Sequence, residues 1–110
     1  MSELVLVLTT MPTGDDGDAR IDELARTLVD ERLAACVNVH HPMTSTYRWK
    51  GKVERDPERQ LVIKTTRGRI AELEARLHAL HPYELPEFIV ITAVGGSEAY
   101  LAWVVNETRL

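Results

Sequence analysis

Hydrophobic residues along this chain come in two kinds of run, and their alternation predicts its architecture. Leu4-Val5-Leu6-Val7-Leu8-Thr9-Thr10 is an unbroken series of strand formers bounded by Met11-Pro12. Such a run suits a strand buried on both faces in the middle of a sheet. Thr13-Gly14-Asp15-Asp16-Gly17-Asp18 reads as a loop whose acids precede a helix N-terminus. From Ile21 the apolar residues recur at Leu24, Ala25, Leu28, Val29 and Leu33, with Asp22, Glu23, Arg26 and Asp30 on the other side. That is the spacing of an amphipathic helix.

The pattern then shifts to alternation. Ala34 to Val39 reads as a strand, His40-His41-Pro42 breaks it, and Thr44 to Trp49 resumes it. Lys50-Gly51 is a tight hairpin link in which Gly51 supplies the positive φ. The return strand starts at Lys52-Val53-Glu54, is interrupted near Asp56-Pro57 and continues from Gln60 to Thr65. Arg69 to Leu80 is a second amphipathic helix striped by Ile70, Leu73, Leu77 and Leu80, and His81-Pro82 stops it. Tyr83-Glu84-Leu85-Pro86 leads to an apolar strand over Glu87 to Val94. Gly95-Gly96 then breaks the chain, and Ser97 caps a last helix over Glu98 to Glu107. With no repeat or linker, residues 1–110 form one domain. The order β-α-β-β-α-β plus a tail helix predicts an α+β ferredoxin-like sandwich, a four-stranded antiparallel sheet with helices on one face and an extended hairpin between its second and third strands.

That hairpin is longer than the sheet can cover, since strands of about five or six residues are usual. The excess exposes backbone edge together with Tyr47, Trp49 and Val53. A bare edge invites pairing with another chain, so a closed homo-oligomer is expected.

Composition narrows the function classes. At 110 residues, 45% hydrophobic and 27% charged, the chain can bury one proper core. Thirteen basic against seventeen acidic residues give a charge of −4, with no electrostatic footprint for nucleic acid. The single cysteine, Cys36, excludes an intrachain disulfide and a CxxC metal site. Between Ala35 and Val37 it reads as a small core hydrophobe. Met1-Ser2-Glu3 and the short apolar run after it resemble neither a secretory signal nor a membrane span, so a cytoplasmic protein that meets no membrane is expected.

The sequence holds no GxSxG elbow, no HExxH and no P-loop, which argues against an enzyme. His78 and His81 lie three apart at the end of the second helix, with Glu84 and Glu87 following. Imidazole and carboxylate together suit a first-row divalent ion, Cu(II) most tightly, although a histidine at a helix C-terminus also answers the dipole. His40 and His41 are adjacent, and on a strand their side chains point to opposite faces.

Five stretches taken together resemble the CutA family of divalent-cation-tolerance proteins. They are Glu31-Arg32-Leu33-Ala34-Ala35-Cys36-Val37-Asn38, Ser45-Thr46-Tyr47-Arg48-Trp49-Lys50-Gly51-Lys52-Val53, Leu61-Val62-Ile63-Lys64-Thr65-Thr66, His81-Pro82-Tyr83-Glu84-Leu85-Pro86-Glu87 and Tyr100-Leu101-Ala102-Trp103. The resemblance implies a ferredoxin-like subunit in a homotrimer whose hairpins bridge subunits, with Tyr47, Trp49, Val53 and Trp103 at the interface. It implies divalent-metal binding, copper among the candidates, at His81 and Glu87, by a metal that folding does not require, while any protein partner beyond the chain itself stays unidentified. Some members carry a cysteine at the end of the first strand that is implicated in metal binding. Here Thr9 stands at that place, and a hydroxyl does not replace a thiolate as a soft ligand. Likeness to the PII signalling proteins implies an alternative, a trimer that binds a small anionic effector between subunits, with Lys50, Lys52, Lys64 and Arg67 as anion contacts.

Overall fold

A computed structural model describes residues 3–110. The elements run β1 (Leu4–Pro12), α1 (Asp15–Asp30), β2 (Cys36–Val39), β3 (Met43–Trp49), β4 (Lys52–Thr66), α2 (Ile70–Leu80), β5 (Ile89–Thr92) and α3 (Glu98–Glu107), with a 3-10 turn over Arg67–Arg69 ahead of α2. All strand pairs are antiparallel, in the order β2-β4-β1-β5. β2 and β3 are one broken strand against the same side of β4, pairing with Leu61 to Lys64 and with Lys52 to Glu58. The expected order and the hairpin are both present.

Alternation along the strands sorts the core. Val5, Val7 and Met11 of β1 and Leu61 and Ile63 of β4 are fully buried beneath Leu24 and Leu28 of α1 and Leu73 and Leu77 of α2. On the opposite face Leu6 and Leu8 are only half-buried, and their β5 partners Ile91 and Ile89 are 43% and 48% exposed. β1 is therefore buried fully on one face, where burial on both was expected. α3 covers one end of that second face, packing Val104 onto Leu4 and Ala35. The helices thus lie on both faces, in place of the single face expected.

Two local readings are corrected. The segment Asp15 to Asp18 is the first turn of α1 rather than a preceding loop. Its aspartates sit where the helix dipole favours negative charge. A side chain at Gly17 would meet the Pro12 carbonyl oxygen at 2.3 Å, so only glycine lets α1 begin this close to the end of β1. Nor is β4 interrupted at Asp56-Pro57, for Pro57 pairs with Thr44 within the ladder. β1 ends opposite Glu58, so Pro57 lies where one side of the strand has no neighbour, and its missing N–H is tolerated there.

The β3–β4 turn puts Lys50 at φ 49° and Gly51 at φ 82°, the two positive values that a two-residue hairpin link uses. Beyond β1 no further strand pairs with the hairpin among the described residues, and the molecule measures 44 × 26 × 24 Å with a radius of gyration of 14.5 Å. A compact domain of this length has about 13 Å. The overhang accounts for the difference. Among the described residues no helix is long and apolar enough to cross a membrane.

Candidate functional site

The chemistry-bearing residues gather where β1 outruns β5. β5 pairs only with Val5 to Leu8, and the loop from His81 to Glu87 occupies the space beside Thr9 and Thr10. His81 caps α2 in an extended conformation, its N–H donating to Leu77 O. Pro82 behind it disfavours further helix. The turn carries the imidazole onto the sheet, where it is buried.

Both ring nitrogens of His81 are engaged. The Tyr83 backbone N–H donates to Nδ1 at 3.1 Å, so Nδ1 is the acceptor and the neutral ring carries its proton on Nε2. Nε2–H donates to the Thr10 carbonyl at 2.7 Å. Burial holds the imidazole below the ordinary histidine value, against the opposing pull of the Thr10 carbonyl and the Glu58 carboxylate.

Around this ring lies a polar lattice. The Tyr83 ring stands 4.8 Å from that of His81, and its phenol donates to Glu58 Oε2 at 2.7 Å. Burial, then the bond to Glu58, pushes that phenol well above its usual range. Gln60 Nε2 donates to Glu87 Oε2 at 2.8 Å and to the Thr9 carbonyl at 3.3 Å. Lys50, at the hairpin tip, reaches Glu84 at 3.6 Å. Tyr47 donates to Asp56 across the hairpin, and that bond pushes its phenol up to about 12.

Of the metal candidates, His81 meets Thr10 on β1, Glu87 meets Gln60, the β4 residue paired with Thr10, and His78 remains exposed on α2. His40 and His41 are exposed on the β2–β3 link. Among the described residues no group of three or more His, Cys, Asp or Glu is placed to hold a metal ion. The donor pair nevertheless has one feature of a metal ligand. Ligating histidines donate their second N–H to a carbonyl or carboxylate, which fixes the tautomer and the ring, and Nε2–H of His81 does so. Its Nδ1, the other ring nitrogen, is occupied by the Tyr83 N–H.

The interface candidates Tyr47, Val53 and Trp103 are 41%, 63% and 42% exposed, and Trp49 is partly buried with the Lys50 ammonium 5.5 Å from its ring centroid. Cys36 is half-buried on the open face, paired with Lys64, instead of in the core. Thr9 is fully buried, and its Oγ1 has no hydrogen-bond partner among the described residues. Glu58, Gln60 and Thr10 escaped the sequence reading, because each joins the site only through the β1–β4 register.

A family model described as CutA1 divalent ion tolerance protein matches residues 5–107. The divalent-cation tolerance protein CutA of Thermus thermophilus is 42% identical over 112 residues, covering 98% of this chain and 99% of its own. The chloroplastic protein CutA of Arabidopsis thaliana is 40% identical over 96% of this chain, which spans only 56% of that relative. The crystal structure of CutA from Xylella fastidiosa superposes with a TM-score of 0.91 at 41% identity, covering 98% of this chain and 100% of that one.

Proposed function

The chain belongs to the CutA1 divalent ion tolerance family, and on that premise we propose that it serves divalent-cation tolerance as a homotrimer that binds the ion, copper(II) foremost, at His81 and Glu87. Its relatives are named as tolerance proteins, and the role proposed here is binding without catalytic turnover.

The observation that carries the metal reading is the His81 ring, pinned through Nε2–H to the Thr10 carbonyl with its lone pair on Nδ1. Glu87 adds a carboxylate of which one oxygen, Oε2, accepts from Gln60. Imidazole with carboxylate favours copper(II) over its neighbours in the first row. Two donors leave the coordination sphere open to water or to another subunit.

Trimer formation is supported by the uncovered sheet face bearing Ile89 and Ile91 and by the overhanging hairpin with exposed Tyr47 and Val53. Trp49 and Trp103 complete the proposed contact. Contiguous exposed apolar surface is a common mark of an interaction site.

Calorimetric titration of Cu(II), Zn(II) and Ni(II) into metal-free protein is expected to show binding that weakens in His81→Ala and in Glu87→Gln. Identical weak binding in all three proteins defeats the site. Light scattering after gel filtration is expected to return three chains per particle, and a single-chain mass defeats the trimer.

A second reading has its own observation. Lys64 and Arg67 have no carboxylate partner among the described residues. Lys64 lies 5.8 Å from the Tyr100 ring centroid, and Arg67 donates to Thr92 Oγ1. These cations suit a small anionic effector. A melting temperature raised by anions and unmoved by metals favours this reading, since a ligand of the native state stabilises it.

A further inference from the structure

β2 is the outermost strand of the sheet, and a groove of about 650 Å³ lies against its end. A volume of this size holds a small organic molecule. His40 and His41 were expected on opposite faces of a strand, but both fall in the link between β2 and β3, and both line the groove. Neither ring has a hydrogen-bond partner among the described residues, and a neutral imidazole offers one donor and one acceptor. The Asn38 amide adds both again. Because the His40 N–H donates to the Gln60 carbonyl, the alternation of an antiparallel ladder turns the Val39 N–H away from β4.

Charge enters from the other end. Lys64 lines the groove without a carboxylate partner among the described residues, its ammonium 5.8 Å from the Tyr100 ring centroid. No carboxylate lines the groove, although the chain carries a net charge of −4. Arg59 supplies shape rather than charge. Its Nε donates to Asp18 Oδ1 at 3.1 Å and to Thr13 Oγ1 at 3.3 Å, and its Nη1 donates to the His40 carbonyl at 3.3 Å. Asp18 thus answers the guanidinium, while the bond to His40 fixes the link.

We propose that this groove binds a small polyhydroxylated phosphate, the class to which sugar phosphates belong. His40 stands beside Gln60, four strand residues from Lys64, which is about 13 Å along β4. One compact anion does not span that distance. An elongate ligand does, with its phosphate on Lys64 and its hydroxyls on Asn38, the histidines and the Val39 N–H, over the apolar floor of Val62. The site rests on the anionic-effector reading and shares Lys64 with it.

Titrating the ¹⁵N-labelled full chain with ribose 5-phosphate, inorganic phosphate and sodium chloride at matched ionic strength tests the groove. Ribose 5-phosphate is expected to shift the amides of residues 38–41 and 62–64. It is expected to bind about tenfold tighter than inorganic phosphate, the worth of one or two added hydrogen bonds. Lys64→Gln is expected to weaken both phosphates at least about tenfold, as loss of a charged donor does. The exposed His41→Ala is expected to weaken ribose 5-phosphate alone. Equal affinity for the two phosphates, an unchanged His41→Ala, or shifts that sodium chloride reproduces overturn the proposal. Shifts confined to Arg67 and Thr92 overturn the groove and leave the anionic-effector reading standing. Silence toward every anion overturns both.

Discussion

The two faces of the sheet are made from the same residue types but sit in different surroundings. Val5, Val7 and Met11 are sealed beneath α1 and α2, while Leu6 and Leu8, interleaved with them, share their face with the exposed Ile89 and Ile91. In one chain the first face is a finished core and the second is finished only at the end where α3 seats Val104. Such a contrast teaches that fold and assembly are separable here. The helix face carries the stability of a single chain, and the open face carries whatever stability depends on a partner.

Substitutions can sharpen that contrast. Leu77→Ala, on the sealed face, is expected to lose about 3 kcal/mol in urea unfolding, the usual loss for a well-packed leucine. Ile91→Ala on the open face is expected to lose less than about 1 kcal/mol if the face is bare. A larger loss that grows as protein is diluted marks a second copy lying over it. Where the loop binds the sheet, Tyr83→Phe leaves the Glu58 carboxylate without its donor and is expected to cost about 2 kcal/mol by the same measurement. Thr9→Val has the opposite sign. It removes the orphaned buried hydroxyl and is expected to stabilise by about 1 kcal/mol, read as a higher urea midpoint. On α3, Ser97→Ala removes the cap that accepts from the Tyr100 N–H and is expected to lose about 1 kcal/mol in thermal unfolding.

The smallest effect concerns protons. Because burial lowers the His81 value in the folded chain, folding favours the neutral ring. The stability this contributes is complete above about pH 6.5, the unfolded histidine value. It is lost as pH falls below that value, where the unfolded chain binds the extra proton. Urea midpoints in metal-free buffer at pH 7.5 and 5.5 are expected to separate less in His81→Gln than in the parent.

Much of the fold was legible because its signals are local. Lys50-Gly51, the Ser97 cap and the His81-Pro82 stop each fix backbone within a few residues. The start of α1 was missed because aspartate and glycine resemble a loop until the dipole and the close pass of Gly17 over Pro12 are considered. The side of the sheet that α3 takes was also hidden. Tyr100, Leu101, Trp103, Val104 and Val105 surround that helix with apolar groups and mark no single stripe. For the candidate site, the chemistry of His81 and Glu87 was visible but their partners were not. His81 meets Thr10 from 71 residues away, and Glu87 meets Gln60 from 27, separations that only strand register can bridge.

β4 is the strand on which β1, β2 and β3 all pair. On the ribosome this makes the chain a late folder. β1 emerges first, and its main partner is completed only at Thr66. At a synthesis rate of about 5–20 residues per second, several seconds pass before that strand is made. For that interval the apolar run of β1 waits for the ladder it forms with β4, and chaperone cover until residue 66 is made is expected to raise the yield of native protein.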